Sequence, residues 1–189
     1  TLIYKVVGEG TALMAGLRPG ARLDLLTGLG NGFDVTKGSR RELLVGGGVG
    51  IFPLISVIRA YNKSKELYAY MGFRNRAALC MEYDMMQCHK TVLATDDGSL
   101  GYHGTAVQAF MHEYEEVRPD VVLACGPVPM LRALKEAMKG RNVPVYVSLE
   151  ERMGCGIGAC LVCVCEKTDG AHARVCKDGP VFLIDDVVL

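Results

Sequence analysis

Four cysteines near the end of the chain have a spacing that suits an iron-sulfur cluster. Cys155, Cys160, Cys163 and Cys176 read C-x4-C-x2-C-x12-C. Three thiolates on one loop and a fourth farther along form the plant-type arrangement that holds two irons. Glycines alternate through residues 154–158, which suits a loop that must bring backbone amides close to sulfide. The spacing therefore predicts one 2Fe-2S cluster on these four thiols.

Zinc binding and disulfide formation are two alternative roles for these cysteines, and both stay open at this point. Zinc also binds thiolates, although zinc ribbons usually have two C-x2-C pairs and this chain has one, from Cys160 to Cys163. Against disulfides, five of the eight cysteines lie between Cys155 and Cys176, and clustered cysteines in an intracellular chain more often bind metal. Cys165, two residues beyond Cys163, is interpreted as a packed thiol and not as a ligand.

A glycine-rich turn between a predicted strand and a predicted helix is the second candidate site. It consists of Gly46, Gly47, Gly48, Val49 and Gly50. Unpaired amides and the helix dipole at such a turn favour a pyrophosphate, and Pro53 suits the first turn of the helix that follows. Glycines also make tight turns that bind nothing. In this context we predict that the turn binds a dinucleotide.

The carboxyl ends of two other predicted strands add candidates. Cys125 and Gly126 follow the fourth strand, at the edge of the sheet where ligands of open α/β folds bind. The alternative is that Cys125 is a small buried residue. The second strand ends without an acid for a ribose 2′-hydroxyl, so the choice between NAD and NADP stays open. Arg74 and Arg76 could hold a 2′-phosphate or could simply be solvated.

An alternation of strands and helices predicts the fold that positions these residues. Apolar strand runs occur at 42–45, 67–71, 91–94, 121–124 and 145–147. Helical patterns lie between them, at 53–61, 76–86, 105–117 and 130–139. This order predicts a doubly wound parallel sheet with right-handed crossovers.

The two ends of the chain differ in pattern from this middle part. Short strands at 2–7 and 21–26, with glycine turns after each, are typical of part of a β-barrel. After residue 150 the chain is rich in glycine and cysteine and ends in a strand at 180–184. The predicted fold class is therefore α/β plus β, with a partial barrel at 1–38, a nucleotide domain at 39–149 and a cluster module at 150–189.

Composition and charge restrict the classes of partner. Lysine plus arginine and aspartate plus glutamate number 21 each, so no net field favours nucleic acid or an anionic membrane. No segment approaches the roughly 20 apolar residues of a membrane span, and the first residues lack the order of a signal peptide. We therefore expect a cytoplasmic protein. The sequence shows no acid pair or nucleophile motif that would indicate hydrolytic chemistry.

Several segments together resemble one family closely. They are VVGEGT at 6–11, GGGVGIFPL at 46–54, ACGP at 124–127, EERMGCGIGAC at 150–160 and CKDGPVF at 176–182. The whole chain is similar to the electron transfer subunit of dihydroorotate dehydrogenase B, within the wider ferredoxin-NADP reductase superfamily. The resemblance implies an NAD-linked oxidoreductase subunit in pyrimidine biosynthesis, with an FAD barrel, an NAD domain and a 2Fe-2S module. Its implied partner is an FMN-containing catalytic subunit that oxidises dihydroorotate, in a heterotetramer.

The resemblance also implies roles for residues by their position. Ile3, Tyr4 and Lys5 would contact FAD, and so would the turn at Gly10 and Thr11, where Thr11 would hydrogen-bond the pyrophosphate. The turn at 46–50 would hold the NAD pyrophosphate, and the pair at 125–126 would lie beside the nicotinamide. No catalytic residue for dihydroorotate oxidation is implied in this chain.

Family members begin with further barrel strands that carry an arginine-x-x-serine flavin motif, which does not precede Thr1 here. We therefore expect this chain to be deficient in FAD. Two alternatives remain at this point. One is a reductase subunit of another NAD(P)H-, ferredoxin- or sulfide-linked complex, and the other is a zinc-stabilised module that binds a dinucleotide.

Overall fold

A mostly parallel, seven-stranded sheet forms the centre of the computed structural model, which describes residues 2–34 and 40–189. The strands are β1 Arg41–Gly47, β2 Glu66–Phe73, β3 Lys90–Thr95, β4 Tyr102–His103, β5 Val121–Cys125, β6 Val145–Ser148, β7 Val164–Glu166, β8 His172–Arg174 and β9 Val181–Leu183. The main sheet has the order β4-β3-β2-β1-β5-β6-β9, in which only β9 is antiparallel to its neighbour. The strands β7 and β8 form a separate antiparallel pair.

Helices cover both faces of this sheet. They are α1 Glu9–Ala15, α2 Ile51–Tyr61, α3 Glu82–Met85, α4 Ala106–His112, α5 Tyr114–Val117 and α6 Val128–Met138. Leu43 and Val45 of β1 pack in one hydrophobic cluster with α4 and α6, whereas Leu44 packs in the other with α2 and α3. Alternate side chains of a strand point to opposite faces. The burial of β1 on both faces therefore confirms the predicted doubly wound sheet, and the five strands predicted for it are all present.

The two strands predicted near the start of the chain are wrong. Residues 2–7 and 21–26 are not in strands, and the glycine turn predicted at 8–11 is the beginning of α1. Strands need a neighbour that completes their hydrogen bonds, and no strand lies beside these segments in the described part of the chain. Their apolar side chains are correspondingly exposed, with Val7 at 76% and Leu26 at 65%. The boundary predicted between residues 38 and 39 lies at residues that the structure does not describe.

Two predicted helices are shorter than expected. The pattern at 76–86 becomes a 3-10 turn at Arg76–Ala78 and the one-turn helix α3, because Leu79 is extended and Met81 has a left-handed φ of 58°. The pattern at 105–117 divides into α4 and α5 at Glu113, where φ is −109°. Helical periodicity detects the apolar face but not such an interruption of the backbone. The strands β4, β7 and β8 were not predicted, since two or three residues carry little periodicity.

The final strand connects the cluster module to the rest of the molecule. The strand predicted at 180–184 is β9, and it pairs with β6 at the edge of the main sheet. The Asn31 amide donates to the Gly179 carbonyl at 2.6 Å, and the Asn31 side chain donates to the Lys177 carbonyl at 3.2 Å. The turn before β9 thus touches the first part of the chain as well as the sheet. Across the described residues, the helices are all too short or too polar to span a bilayer.

Candidate functional site

The four predicted cluster cysteines lie on the loop before β7 and on the turn after β8, where they form two pairs. The Cys155 amide donates to the Cys160 sulfur at 3.3 Å, and the Cys160 amide donates to the Cys155 sulfur at 3.4 Å. In the second pair, the Cys176 amide donates to the Cys163 sulfur at 3.4 Å. The structure brings the thiols together two by two, which is how a cluster with two irons divides four ligands.

Backbone amides surround the sulfur of Cys155. The amides of Cys160, Ile157 and Ala159, with the Cys160 side chain, lower the pKa of Cys155 to about 6. Donors directed at a sulfur favour its thiolate form, which is the form that binds metal. In the second pair, the contact with Cys163 raises the pKa of Cys176. Among the described residues, no three His, Cys, Asp or Glu side chains are grouped around a position for one metal ion.

Arg174, which forms an ion pair with Asp178, joins the loop before β7 (the cluster loop) to the turn that carries Cys176. The Arg174 guanidinium donates to both carboxylate oxygens of Asp178, at 3.0 and 3.1 Å, and to the Gly158 carbonyl at 3.2 Å. Gly158 has a φ of +81°, and a Cβ there would lie 2.7 Å from the Lys177 side chain. A side chain at residue 158 would therefore crowd Lys177 and strain the backbone, so glycine suits this close approach. Arg174 and Asp178 were not singled out from the sequence, although Asp178 belongs to the CKDGPVF segment.

Cys165 takes no part in either thiol pair. It lies in β7 opposite Ala173, is partly buried, and packs against the small cluster formed by Cys163, Val175 and Cys176. Burial raises the pKa of Cys165, which disfavours its thiolate. This position is consistent with the interpretation of Cys165 as a packed thiol.

The residues predicted to bind a dinucleotide, at 46–50 and 125–126, meet at the carboxyl ends of β1 and β5. We call the space between these two turns the crevice. These strands are neighbours in the sheet, and from them the chain continues toward opposite edges, which is the point where ligands of open α/β sheets bind. The glycine turn contributes the end of β1 and a 3-10 turn at Gly48–Gly50 that leads into α2. A Cβ at residue 50 would lie 2.5 Å from the Cα of Gly126. The predicted residues of the two turns are therefore in backbone contact.

The glycine turn is open to solvent at Gly48. Gly48 has a φ of +55°, and a Cβ built on it would meet no atom within 4 Å. Val49 beside it is 45% exposed. An accessible turn whose amides precede a helix suits the pyrophosphate of a dinucleotide. The residues present therefore fit the group predicted for them.

Two residues near Cys125 were missed by the sequence analysis. Ser148 is the register partner of Cys125 on β6 and lies beside its thiol, and Glu150 lies close enough to act on it electrostatically. Burial, which outweighs the Ser148 contact, raises the pKa of Cys125 to about 11, and the Glu150 charge adds to the rise. The thiol is therefore neutral at pH 7. The sequence does not reveal these neighbours, because they follow from the register in which β5 pairs with β6.

The arginines considered for a 2′-phosphate are both exposed beyond the end of β2. The amide of Arg76 donates to the Ser99 hydroxyl at 2.8 Å, which ties this segment to the turn after β3. The side chains of Arg74 and Arg76 thus lie at the same edge of the sheet as the glycine turn.

The residues predicted to contact FAD lie at the start of the described chain. Ile3 and Tyr4 are 38% and 37% exposed, Lys5 is exposed, and Gly10 and Thr11 are in the first turn of α1. The Thr11 hydroxyl donates to the Gly8 carbonyl and accepts from the amides of Val7 and Gly8. This hydroxyl could donate a hydrogen bond to a pyrophosphate only if it gave up its hydrogen bond to the Gly8 carbonyl. The assignment of these residues to FAD stays a prediction.

Two protein-family models match the chain. Residues 150–188 match the iron-sulfur cluster binding domain of dihydroorotate dehydrogenase B, and residues 44–136 match the oxidoreductase NAD-binding domain. The first match contains all four predicted cluster ligands. The second contains both turns of the crevice.

Similar proteins and structures agree with these matches. The dihydroorotate dehydrogenase B (NAD(+)) electron transfer subunit of Geobacillus thermodenitrificans is 45% identical over 193 residues, which cover 100% of this chain and 74% of that protein. The subunit of the same name from Enterococcus faecalis is 40% identical over 196 residues, with the same coverage. A chain of the NADH-dependent reduced ferredoxin-NADP oxidoreductase superposes with a TM-score of 0.82 at 28% identity, covering 98% of this chain and 67% of that one. The chain belongs to the family of dihydroorotate dehydrogenase B electron transfer subunits.

Proposed function

We propose that this chain carries electrons from an FMN-containing subunit that oxidises dihydroorotate to NAD+, by way of a 2Fe-2S cluster and FAD, in pyrimidine biosynthesis. The observation that carries the proposal is the division of four thiols into two amide-supported pairs on a chain that also has a glycine-lined crevice. A nicotinamide exchanges a hydride whereas a cluster exchanges one electron at a time, and a flavin supplies the conversion between them. Family membership supports the same function.

The chain's own residues divide this work by position. We assign the cluster to Cys155, Cys160, Cys163 and Cys176, and the NAD pyrophosphate to the turn at 46–50. Cys125 and Gly126 would lie beside the nicotinamide, where the neutral thiol adds bulk without charge. Ile3, Tyr4, Lys5, Gly10 and Thr11 are assigned to FAD. No group among these residues is arranged to take a proton from dihydroorotate, so that step belongs to the partner.

The surface around the cluster loop supports a protein partner. Ile157 and Leu161, which flank Cys160, are 55% and 63% exposed, and Met153 and Val162 are each 54% exposed. An exposed apolar patch of this kind marks an interaction site. We propose that the FMN-containing subunit covers it, in a two-fold assembly of two copies of each subunit. We also propose a cytoplasmic location, because reducing conditions keep unpaired thiols available as ligands.

We propose the same three units that the sequence predicts. Residues 39–149 form the nucleotide unit and residues 150–189 the cluster unit, which the two family matches support without fixing the limits. Residues 1–38 are assigned to the flavin unit.

Metal analysis of the chain prepared anaerobically tests the proposal. We expect iron and acid-labile sulfide at about two per chain, with the visible absorption of a 2Fe-2S protein. The complex with the FMN-containing subunit, once supplied with FAD, should then couple orotate formation to NAD+ reduction, while the isolated chain should not oxidise dihydroorotate. Stoichiometric zinc without iron, or dihydroorotate oxidation by the isolated chain, would contradict the assignment.

A further inference from the structure

The side chain of Met130 lies between the two glycine turns of the crevice. A Cβ on Gly47 would lie 2.7 Å from the Met130 sulfur, and a Cβ on Gly126 would lie 2.6 Å from its terminal methyl group. The same Cβ on Gly126 would lie 3.1 Å from the Gly47 nitrogen. One thioether therefore contacts both turns, in space that exists because neither turn has a side chain there.

Met130 is held on one of these turns by its own backbone. It is the third residue of α6, and its amide donates to the Pro127 carbonyl at 2.9 Å, directly after Gly126. Its side chain is only partly buried and packs at the margin of the cluster that includes Leu131 and Leu134. The side chain thus joins the start of α6 to the end of β1. An unbranched thioether fills an irregular gap of this kind well.

We propose that Met130 is a positioning residue that sets the separation between the turn for the pyrophosphate and the turn for the nicotinamide. The inference rests on the proposed function of the crevice. A dinucleotide contacts both turns at once, so its affinity depends on their separation. ADP has the pyrophosphate but no nicotinamide, so it contacts only the glycine turn at 46–50 and is insensitive to that separation.

A comparison of two ligands on four forms of the full chain tests this. Calorimetric titration with NAD+ and with ADP would be performed on the wild type, Met130→Ala, Met130→Leu and Met138→Ala. Met138 is the matched control, since it lies on the same helix, belongs to the same hydrophobic cluster and is 5% exposed. Thermal unfolding of each variant would show that it is folded.

We expect Met130→Ala to weaken NAD+ by about tenfold or more, and ADP by less than about twofold. Met130→Leu keeps most of the volume and should stay within about threefold of the wild type for NAD+. Met138→Ala should lower thermal stability without changing the ratio of the two affinities. Equal weakening of both ligands by Met130→Ala, or no change in either, would overturn the positioning role while leaving the dinucleotide site intact. If the wild type bound neither ligand, the proposed site itself would be wrong, and this inference would fail with it.

Discussion

The cluster site and the dinucleotide crevice are assembled in opposite ways. The cluster site uses four side chains from the 22 residues between Cys155 and Cys176, three on the loop before β7 and one on the turn after β8, and hydrogen bonds to sulfur pair them. The crevice uses backbone from β1 and β5, whose turns are about 75 residues apart in sequence and meet because the strands are neighbours. Chemistry at the loop therefore depends on side-chain identity. At the crevice it depends on the absence of side chains.

Loss of a ligand at the loop should have the largest effect. Cys160→Ser removes a thiolate from one pair, and we expect the cluster and its visible absorption to be lost almost completely, because a hydroxyl is a poor ligand for iron in this setting. Iron and sulfide analysis measures this. Cys165→Ser is the control, and it should keep the spectrum nearly unchanged. Loss of the cluster in the control would show that Cys165 had been wrongly excluded as a ligand.

Addition of a methyl group to the crevice should have the next largest effect. In Gly50→Ala the new Cβ would lie 2.5 Å from the Cα of Gly126 and 2.6 Å from the Cys125 carbonyl oxygen, so backbone must move. We expect a loss of about 1–3 kcal/mol in the free energy of unfolding. The affinity for NAD+ should fall by at least about tenfold.

The matched control for this change is Gly32→Ala, where a Cβ would meet no atom within 4 Å. It should leave both the unfolding transition and the titration with NAD+ unaltered. The iron content of Gly50→Ala should also stay at the wild-type value, since the crevice does not hold the cluster. A loss of iron in Gly50→Ala would show that the two sites are not independent.

Removal of the ion pair at the loop should have a smaller effect than removal of a ligand. Arg174→Gln breaks the bonds to Asp178 and Gly158 but leaves all four thiols in place. We expect a bound cluster that is released several-fold faster on exposure to a chelator, measured from the decay of visible absorption. Asp169→Asn breaks the exposed pair with Lys167 in the same module and should not change this rate. Equal rates in the two variants would mean that Arg174 does not hold the loop.

The smallest expected effect concerns the thiol at the crevice. Glu150 raises the pKa of Cys125, so Glu150→Gln should lower that pKa, because removal of a nearby negative charge favours the thiolate. Burial remains the main cause of the raised pKa, and the shift should therefore be modest. Alkylation of the peptide that contains Cys125, followed by mass spectrometry between pH 8 and 10, would measure it. An unchanged or slower rate in this variant would contradict the placement of Glu150.

The parts of the fold that were predicted correctly have their signal in consecutive residues. Strands β1, β2 and β5 are buried apolar runs, and α2 and α6 repeat their apolar residues at helical spacing. The strands predicted at 2–7 and 21–26 have similar composition but are absent, because a strand is completed only by a neighbour and composition does not supply one. The helix predicted at 76–86 has the right spacing but is interrupted at Met81, where φ is 58°.

The sequence by itself predicted four cluster ligands and a glycine turn for a dinucleotide, because the spacing of four cysteines and a run of glycines limit the chemistry before any folding is considered. Only the tertiary structure decided what surrounds them. Ser148 reaches Cys125 through the pairing of β6 with β5, and Met130 reaches Gly47 across the crevice. Arg174 reaches Gly158 when the turn after β8 folds against the cluster loop. Each of these contacts joins residues on different elements of the fold, and its physical origin is the way strands and turns pair and pack, which no local pattern of residues encodes.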